Sequence, residues 1–298
     1  MIRVGILTCS DFPDLTLSDQ KLIPLLKESG IFAEAVIWDN PLFQSTRYDV
    51  LLFRNTWDYF TKKETFFNWL NELTTRNITT INTLDTIFWN AHKFYLKELQ
   101  EYGIPVIPGI FISKDDDTDF RMLIPEDWEK AVIKPAISAG AYLTECFFLQ
   151  NVDTISTVYK DIRKSNDLII QKFIPEIITH GEISLVFFDK KYSHAVIKTP
   201  KDGDFRIQSQ FGGSYMPYFP DDLLLNSCTN IIQYIKHDLL YARIDGVMIG
   251  NVFHLMELEL IEPDLYLDYV QDGHRRFTDV IVQYLQSSFS KEDINPIV

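Results

Sequence analysis

The chain has 298 residues, of which 46% are hydrophobic and 23% are charged. This balance excludes an intrinsically disordered chain, and the length favours two or three subdomains over a single core. The 28 basic and 42 acidic residues give a formal net charge of −14. Such an excess of negative charge argues against general binding to nucleic acid or an anionic membrane, so a site for a polyanion must be locally basic.

The start of the chain predicts a cytoplasmic protein. The sequence MIRVGILTCS has too short an apolar run for a signal peptide, and no later stretch approaches the roughly 18 apolar residues of a transmembrane helix. Cys9, Cys146 and Cys228 are odd in number and widely spaced. This pattern favours reduced thiols over a disulfide framework or a cysteine metal site.

The first 89 residues alternate strand patterns with amphipathic helix patterns. Strands are predicted over residues 2–8, 33–38, 48–54 and 78–81, and helices over residues 17–28 and 63–75. This alternation is typical of a parallel sheet with crossover helices. We therefore predict a small, mostly parallel α/β domain over residues 1–89.

A second domain is predicted over residues 90–172. A helix from about His92 to Tyr102 leads into Ile-Pro-Val-Ile-Pro-Gly at 104–109, which is too rich in proline for a central strand. Strands are predicted at 131–134, up to Phe148 and at 168–173, with a helix near 153–164.

A third domain is predicted over residues 173–298. Strands at 183–188 and 192–198 read as one antiparallel hairpin, and strands at 241–249 and 252–261, joined at Gly250 and Asn251, read as another. Helices are predicted over residues 223–239 and 275–285. The chain therefore combines α/β and α+β parts.

The second hairpin carries a candidate metal site. Glu257 and Glu259 lie two residues apart on a strand and therefore share a face. Mg²⁺ prefers carboxylate and phosphate oxygens, and Asp245 on the neighbouring strand would be a third ligand. A regular two-residue loop would set Asp245 opposite Met256, on the wrong face, so we predict an irregularity such as a bulge in this hairpin.

Cationic residues that could bind phosphate lie in several predicted strands and loops: Lys93, Lys134, Lys198, Arg206 and Arg243. Lys134 precedes the small-residue loop 136–141, which includes Ser138. Small residues let backbone N–H groups approach phosphate oxygens, while lysine supplies a point charge. The loop lacks the spacing of a Walker-type phosphate loop.

An apolar strand ending at Gln171, followed by Phe173 and Ile174, offers the apolar slot and main-chain groups that an adenine ring requires. Glu182 opens the next strand, where its carboxylate could accept hydrogen bonds from ribose hydroxyl groups.

In this order, the motifs resemble the ATP-grasp superfamily with its glutathione-synthetase-like ATP-binding domain. The resemblance spans roughly residues 90 to 265 and rests on Asn90-x-x-Lys93, Ile-Lys134-Pro, Gln171-Lys-Phe-Ile174, Gly-Glu182, Lys198, Arg206, Arg243-x-Asp245 and Glu257-x-Glu259. It implies an ATP-grasp fold, in which two α+β lobes after the N-terminal domain clasp ATP. It also implies ATP and one or two Mg²⁺ ions as cofactors.

A closer similarity is to the O-ureido-serine cyclo-ligase family of cycloserine biosynthesis. It rests on Phe-Arg54-Asn-Thr-Trp57-Asp58-Tyr, the segment from His194 to Arg206, Gly212-Gly213, and Glu259-Leu-Ile-Glu262-Pro263-x-Leu-Tyr266. The implied substrate-binding residues are Arg54, Trp57, Asp58, His194, Gly213 and Glu262. The family's third metal ligand is often Asn, whereas this chain has Glu259, which leaves the number of ions open.

The resemblance implies a two-step, ADP-forming ligation of a small-molecule substrate. The γ-phosphoryl group moves to a carboxylate or ureido carbonyl oxygen, and an amine then displaces phosphate, with Arg243, Lys198 and Arg206 as catalytic candidates. Three alternatives remain: a ligase of other specificity, an ATP-grasp kinase, and an ATP-binding module without turnover. A homodimer is also left open.

Overall fold

A computed structural model describes residues 1–201, 206–207 and 212–289. The first part of the chain forms a sheet with the order β2-β1-β3-β4, and all its neighbouring strands are parallel. Its strands are β1 (Arg3–Thr8), β2 (Phe32–Ile37), β3 (Val50–Asn55) and β4 (Thr80–Ile81). Its helices are α1 (Leu17–Gln20), α2 (Leu22–Glu28) and α3 (Lys63–Thr75). The predicted parallel sheet is confirmed.

The helix predicted over residues 17–28 is divided at Lys21. Pro24 explains the position of the break, because proline has no N–H group to donate to the carbonyl of Gln20, four residues earlier. Thr16 caps α1 through its side-chain oxygen, which accepts a hydrogen bond from the Asp19 N–H.

Two short helices and a four-stranded antiparallel sheet follow. The helices are α4 (Leu84–Ala91) and α5 (Tyr95–Glu101), and the strands are β5 (Gly109–Ile112), β6 (Lys130–Pro135), β7 (Glu145–Phe148) and β8 (Leu168–Lys172). The sheet has the order β5-β8-β6-β7. Helix α6 (Val152–Arg163) contributes Tyr159 and Ile155 to the core beneath this sheet.

The last sheet has five antiparallel strands in the order β11-β10-β9-β12-β13. They are β9 (Glu182–Phe188), β10 (Lys191–Thr199), β11 (Ser214–Tyr218), β12 (Tyr241–Ile249) and β13 (Val252–Glu259). The helices of this region are α7 (Glu176–Thr179), α8 (Asp222–Tyr234) and α9 (Gly273–Phe289). Among the described residues, no helix combines the length and apolar character needed to cross a membrane.

The two faces of the five-stranded sheet bury different partners. One face packs on residues of α5 and α8, including Leu99 and Ile232. The opposite face shares a core with the first sheet and α9, in which Val186 joins Leu52 and Phe277. The N-terminal sheet and the C-terminal region are therefore held together by buried apolar surface as well as by the chain connection.

The irregular hairpin predicted for the metal-ligand candidates is confirmed. Gly246 pairs with Leu255 and Asp245 pairs with Glu257, so Met256 is an extra residue between the two pairs. The bulge reverses the alternation of side chains, because Leu255 before it and Leu258 after it both pack into the core with α8.

Several elements differ from the sequence prediction. Helix α4 was not predicted, although Thr83 caps it by accepting a hydrogen bond from the Thr86 N–H. Strand β11 was also missed, because Pro217 counts against a strand except at an edge, and β11 is an edge strand. Helix α8 ends at Tyr234 rather than Leu239, where the Ile235 carbonyl accepts a hydrogen bond from Lys190 Nζ at 2.8 Å.

Candidate active site

One end of the five-stranded sheet presents a polar face. The paired positions are Lys198 with Glu182, Ser184 with Asp245, Asp245 with Glu257, and Arg243 with Glu259. Directly paired residues in a sheet lie on the same face, so these side chains converge. The strands continue into the apolar core through Val186, Val196 and Tyr241, so the site lies at the edge of the core shared with the first sheet.

Lys198 lies between two carboxylates of this face. Its Nζ is 2.5 Å from Glu182 Oε1 and 3.5 Å from Asp245 Oδ1. Burial alone would favour the neutral amine, but Asp245 and Glu182 outweigh it and raise the pKa of Lys198 above its usual value. Lys198 is therefore a buried, permanently charged group.

Arg243 connects the remaining carboxylates. Its Nε lies 3.0 Å and 3.1 Å from the two oxygens of Asp245, and its second terminal nitrogen also donates to Glu259. The other terminal nitrogen donates to the Asp264 carbonyl at 3.0 Å. Burial opposes ionisation of Asp245, but Arg243 and Lys198 hold the pKa of Asp245 well below its usual value.

Two lysines reach this face from outside the five-stranded sheet. Lys93, which precedes α5, donates to the Ser138 carbonyl, and its Nζ is 3.1 Å from Glu257 Oε1. Ser138 is itself fixed by a hydrogen bond of 2.9 Å to the Pro135 carbonyl. Lys134 lies on β6, where burial lowers its pKa while Glu257 opposes this effect. Lys93 therefore links the small-residue loop to Glu257, and Lys134 interacts electrostatically with the same carboxylate.

Glu262 follows β13 and joins the face to the N-terminal region. Its backbone carbonyl accepts a hydrogen bond from Trp57 Nε1 at 2.8 Å. Burial, opposed by Lys93 and reinforced by Glu257, raises the pKa of the Glu262 carboxyl to about 8. Trp57 is partly exposed and contacts Phe12 edge-on, with ring centroids 5.1 Å apart.

The predicted adenine-binding residues lie where the chain passes between the two antiparallel sheets. Gln171 is in β8, and the strand ends one residue later. Ile174 packs against Ile107 and Val247 of the five-stranded sheet region. Lys130 Nζ lies 4.1 Å from the centroid of the Phe173 ring. The connection between the two sheets is therefore apolar at Ile174, and Lys130 places a positive charge beside Phe173.

Arg54 and Asp58 have partners inside the N-terminal region. Arg54 is only 1% exposed, and its Nε donates to Asp19 Oδ1 at 3.0 Å. Asp58 accepts hydrogen bonds from Trp38 Nε1 at 2.7 Å and from Lys62 Nζ at 2.6 Å. These contacts give both side chains structural partners, while Arg54 Nη1 is buried without a hydrogen-bond partner in the described part of the chain. The substrate-binding roles predicted for Arg54 and Asp58 stay predictions.

His194 shares the face of Lys198 but lies deeper in the core. Its Nε2 is 2.8 Å from the Leu265 carbonyl, and burial lowers its pKa to about 4. It is therefore a buried, hydrogen-bonded histidine whose neutral form is favoured, and its predicted substrate contact stays a prediction.

The segment around Arg206 and Gly213 is only partly described. Arg206 lies between residues outside the described ranges, and its catalytic role stays a prediction. At Gly213 a Cβ atom would lie 1.9 Å from the Ile207 carbonyl oxygen. Glycine at this position therefore allows a close backbone approach, and its predicted substrate role also stays a prediction.

Two residues of the site were not predicted from the sequence as site residues. Ser184 donates to Asp245, and its position two residues after Glu182 on a strand was a usable signal. Tyr266 has a left-handed φ of 49°, and its ring centroid lies 5.2 Å from the Arg243 guanidinium carbon. The contact of Tyr266 depends on how the chain turns after β13, which no local pattern indicated.

The carboxylates Asp245, Glu257 and Glu259 provide the oxygen donors that Mg²⁺ prefers, and their chemistry fits this ion. In the described part of the chain, however, no three His, Cys, Asp or Glu side chains are already gathered as a metal site. Lys93 and Arg243 instead hold these carboxylates as ion pairs. Binding of a metal ion would require part of this pairing to be exchanged.

Comparison with known proteins identifies similar chains. Residues 4–82 match the family model of the N-terminal domain of D-cycloserine synthetase DcsG. The chain is also 25% identical over 288 residues to the cycloserine biosynthesis protein DcsG of Streptomyces lavendulae, and the match covers 90% of this chain and 95% of that protein.

Solved structures have the same overall fold as this chain. The crystal structure of D-cycloserine synthetase DcsG has a TM-score of 0.84 at 22% identity, covering 95% of this chain and 99% of that one. D-alanine–D-alanine ligase from Bacillus anthracis has a TM-score of 0.72 at 15% identity, with coverages of 98% and 100%. The ATP-grasp ligase PsnB, solved with Mg and ADP, has a TM-score of 0.65 at 12% identity, with coverages of 94% and 98%. The chain has the ATP-grasp fold, as predicted.

Proposed function

We propose that this chain, an ATP-dependent ligase with the ATP-grasp fold, activates a carboxylate or ureido carbonyl of a small amino-acid derivative by phosphorylation. An amine of the same or a second molecule then displaces the phosphate, and ADP is the nucleotide product. An intramolecular attack would make the reaction a cyclisation, which is the chemistry expected of a relative of a cycloserine synthetase.

The observation that carries the proposal is the convergence of opposite charges at one end of the five-stranded sheet. Lys93 and Lys198 reach carboxylates at 3.1 Å and 2.5 Å, and Arg243 reaches Asp245 at 2.8 Å. Although the net charge of the chain is −14, three of the four buried Lys and Arg side chains among the described residues lie here: Lys93, Lys198 and Arg243. Such a site can accept the phosphates of a nucleotide when its ion pairs exchange partners.

The same geometry supports a set of nucleotide-binding residues. Lys93, Lys134 and Lys198 would bind phosphate oxygens, with backbone N–H groups of the loop at Ser138 as further donors. Glu182 would accept hydrogen bonds from the ribose. The adenine ring would lie at the apolar connection formed by Gln171, Phe173 and Ile174, between the two antiparallel sheets.

Asp245, Glu257 and Glu259 would hold one or two Mg²⁺ ions together with the nucleotide. When bound, the metal neutralises charge on the phosphates. Exchange of Lys93 from Glu257 to a phosphate oxygen would free that carboxylate at the same time. Coupled binding of nucleotide and metal is therefore expected from the ion pairs of the site.

The ligation proceeds through two displacements. A substrate oxygen takes the γ-phosphoryl group from ATP and releases ADP, and the amine nitrogen then attacks the activated carbonyl carbon. An amine that binds as an ammonium ion first gives one proton to solvent, because only the neutral amine has a lone pair for the attack. Phosphate then leaves with its bonding electron pair, and the nitrogen gives a second proton to solvent. Arg243 would stabilise the oxygen that becomes negative during this attack, because it is a buried and fixed donor. Trp57 and Glu262 would contact the substrate.

The test is ADP release with ATP and Mg²⁺ across amino acids, ureido-amino acids and amines. Glu257→Gln should abolish stimulated release, while the exposed Glu126→Gln serves as the matched control. Release of phosphate that depends on an amine supports the ligase. Transfer of phosphate to a hydroxyl without phosphate release would instead identify a kinase, and ATP binding without turnover would identify a binding module.

A further inference from the structure

The carboxylates of the polar face differ in whether they have a cationic partner. Glu182 is paired with Lys198, Glu257 with Lys93, and Asp245 and Glu259 share Arg243. Glu262 is the exception. Within the described ranges, no lysine, arginine or histidine nitrogen lies within ion-pair distance of its carboxylate.

The nearby cations are already engaged with other groups. Lys93 is held by the Ser138 carbonyl and Glu257, and Arg243 uses its donors on Asp245, Glu259 and the Asp264 carbonyl. Among the described carboxylates of the polar face, Glu262 is therefore the partly buried one that has no ion pair. An unpaired carboxylate in such surroundings is costly, and the raised pKa of Glu262 reflects this cost. A cation supplied by a ligand would remove this energetic cost by pairing with the carboxylate.

An aromatic side chain contacts the backbone of the residue that carries the unpaired carboxylate. The Trp57 indole nitrogen donates to the Glu262 backbone carbonyl, which fixes the ring next to the backbone of Glu262. Trp57 remains partly exposed, and its ring and that of Phe12 are nearly perpendicular, with centroids 5.1 Å apart. A carboxylate and an indole at neighbouring positions favour an ammonium ion, which forms an ion pair with the carboxylate and is attracted to the face of the indole.

We propose that Glu262 and Trp57 form the subsite that binds the ammonium group of the amine-bearing substrate. This inference rests on the proposed ligase function, which requires such a substrate, and it assigns the substrate's chemical class at this position. The position is suitable for the reaction, because Glu262 lies three residues after Glu259 and on the Trp57 side of the polar face. The substrate would thereby be anchored between the N-terminal region and the nucleotide site.

The experiment compares amino acids with their hydroxy-acid isosteres. Calorimetry measures the affinity for alanine and for lactate, and the affinity for serine and for glycerate, each in both enantiomers. Each measurement is made with and without a non-hydrolysable ATP analogue and Mg²⁺. The wild type should prefer at least one amino acid by about tenfold or more, since a charged partner is recognised. Glu262→Gln should reduce this preference to near one without changing binding of the hydroxy acid or the nucleotide.

A second variant protects the test against a folding defect. Trp57→Phe keeps an aromatic face but loses the hydrogen bond to Glu262, and it should weaken amino-acid binding by a smaller factor than Glu262→Gln. Glu126→Gln is again the exposed control. Circular dichroism and nucleotide binding establish that each variant is folded.

The outcomes separate the inference from the proposed function. An unchanged amino-acid preference in Glu262→Gln, or no preference in the wild type, overturns the ammonium subsite. If this occurs while Glu257→Gln still abolishes ADP release, the ligase proposal stands. If the wild type neither binds nor consumes ATP, the ligase proposal fails, while the preference measured without nucleotide still decides the role of Glu262.

Discussion

Asp245 and Glu257 face each other across the hairpin of β12 and β13 because Met256 is accommodated as an extra residue between two ladder pairs. A regular ladder from the two-residue connection would have turned the carboxylates to opposite faces. The bulge therefore brings the two acids, which the sequence places on different strands, onto the face that carries Lys198 and Arg243.

Substituting Gly246, which lies opposite the bulge, should disturb this register. A Cβ atom there would lie 2.3 Å from Phe253 Cζ and 2.4 Å from the His254 carbonyl oxygen. We expect Gly246→Ala to lower the free energy of unfolding by about 2–3 kcal/mol through overcrowding, and to weaken Mg²⁺-dependent ADP release. Urea unfolding measures the loss of stability.

Gly30→Ala is the control, because a Cβ atom at Gly30 would have no neighbouring atom within 4 Å. We expect this variant to lose about 1 kcal/mol of unfolding free energy, since Gly30 has a positive φ. Equal losses in both variants would contradict the role of the bulge.

Arg243→Lys should reduce activity strongly while keeping one positive charge. Arginine spans Asp245, Glu259 and the Asp264 carbonyl, and the single ammonium group of lysine cannot match these directions. We expect kcat to fall by about 10²–10³-fold in steady-state assays, the range for loss of a fixed donor to a developing oxyanion. The control is Arg275→Lys, at an exposed ion pair with Glu28. Near-normal kcat in Arg243→Lys would argue against the oxyanion role.

The buried pair of Asp19 and Arg54 should be important for stability rather than for substrate binding. Their side chains are 4% and 1% exposed, and Asn55 donates a further hydrogen bond to Asp19 at 2.8 Å. Removing one partner, as in Arg54→Met or Asp19→Leu, should cost about 3–5 kcal/mol, because the other charge is left buried. The double variant should lose clearly less than the sum of the two single losses. Unfolding in guanidinium chloride measures the free energies of the wild type, the two single variants and the double variant. A rise in substrate KM without loss of stability would favour the substrate role.

His194 should make the protein less stable on acidification. Burial lowers its folded pKa to about 4 from an unfolded value of 6.5, so its contribution is complete above pH 6.5 and is lost as pH falls towards 4. Between pH 7 and pH 5 this amounts to about 2 kcal/mol for the wild type. His194→Phe should remove this part of the pH dependence, although it also loses the hydrogen bond to Leu265. An identical slope of unfolding free energy against pH in both proteins would show that another group is responsible.

Local patterns were sufficient wherever the physical cause lies within a few residues. Helix α3 has the predicted bounds, because Phe66, Leu70 and Leu73 recur at helical spacing and are buried. The period of two along β13 is enough to predict that Glu257 and Glu259 share one face. Combining that period with the loop length also predicted the bulge, since only an irregular ladder lets both strands present acids to the same site.

The tertiary structure decided which of the chemically suitable residues meet one another. Arg54 is a predicted substrate ligand, and its partner Asp19 lies on a helix 35 residues away, where the packing of that helix on the sheet determines the pair. Trp57 and Glu262 are 205 residues apart and meet only because the N-terminal sheet shares a core with the C-terminal region. Sequence periodicity determines which side chains share a face of one element, whereas contacts between distant elements depend on how buried surfaces fit together, and no local pattern encodes that fit.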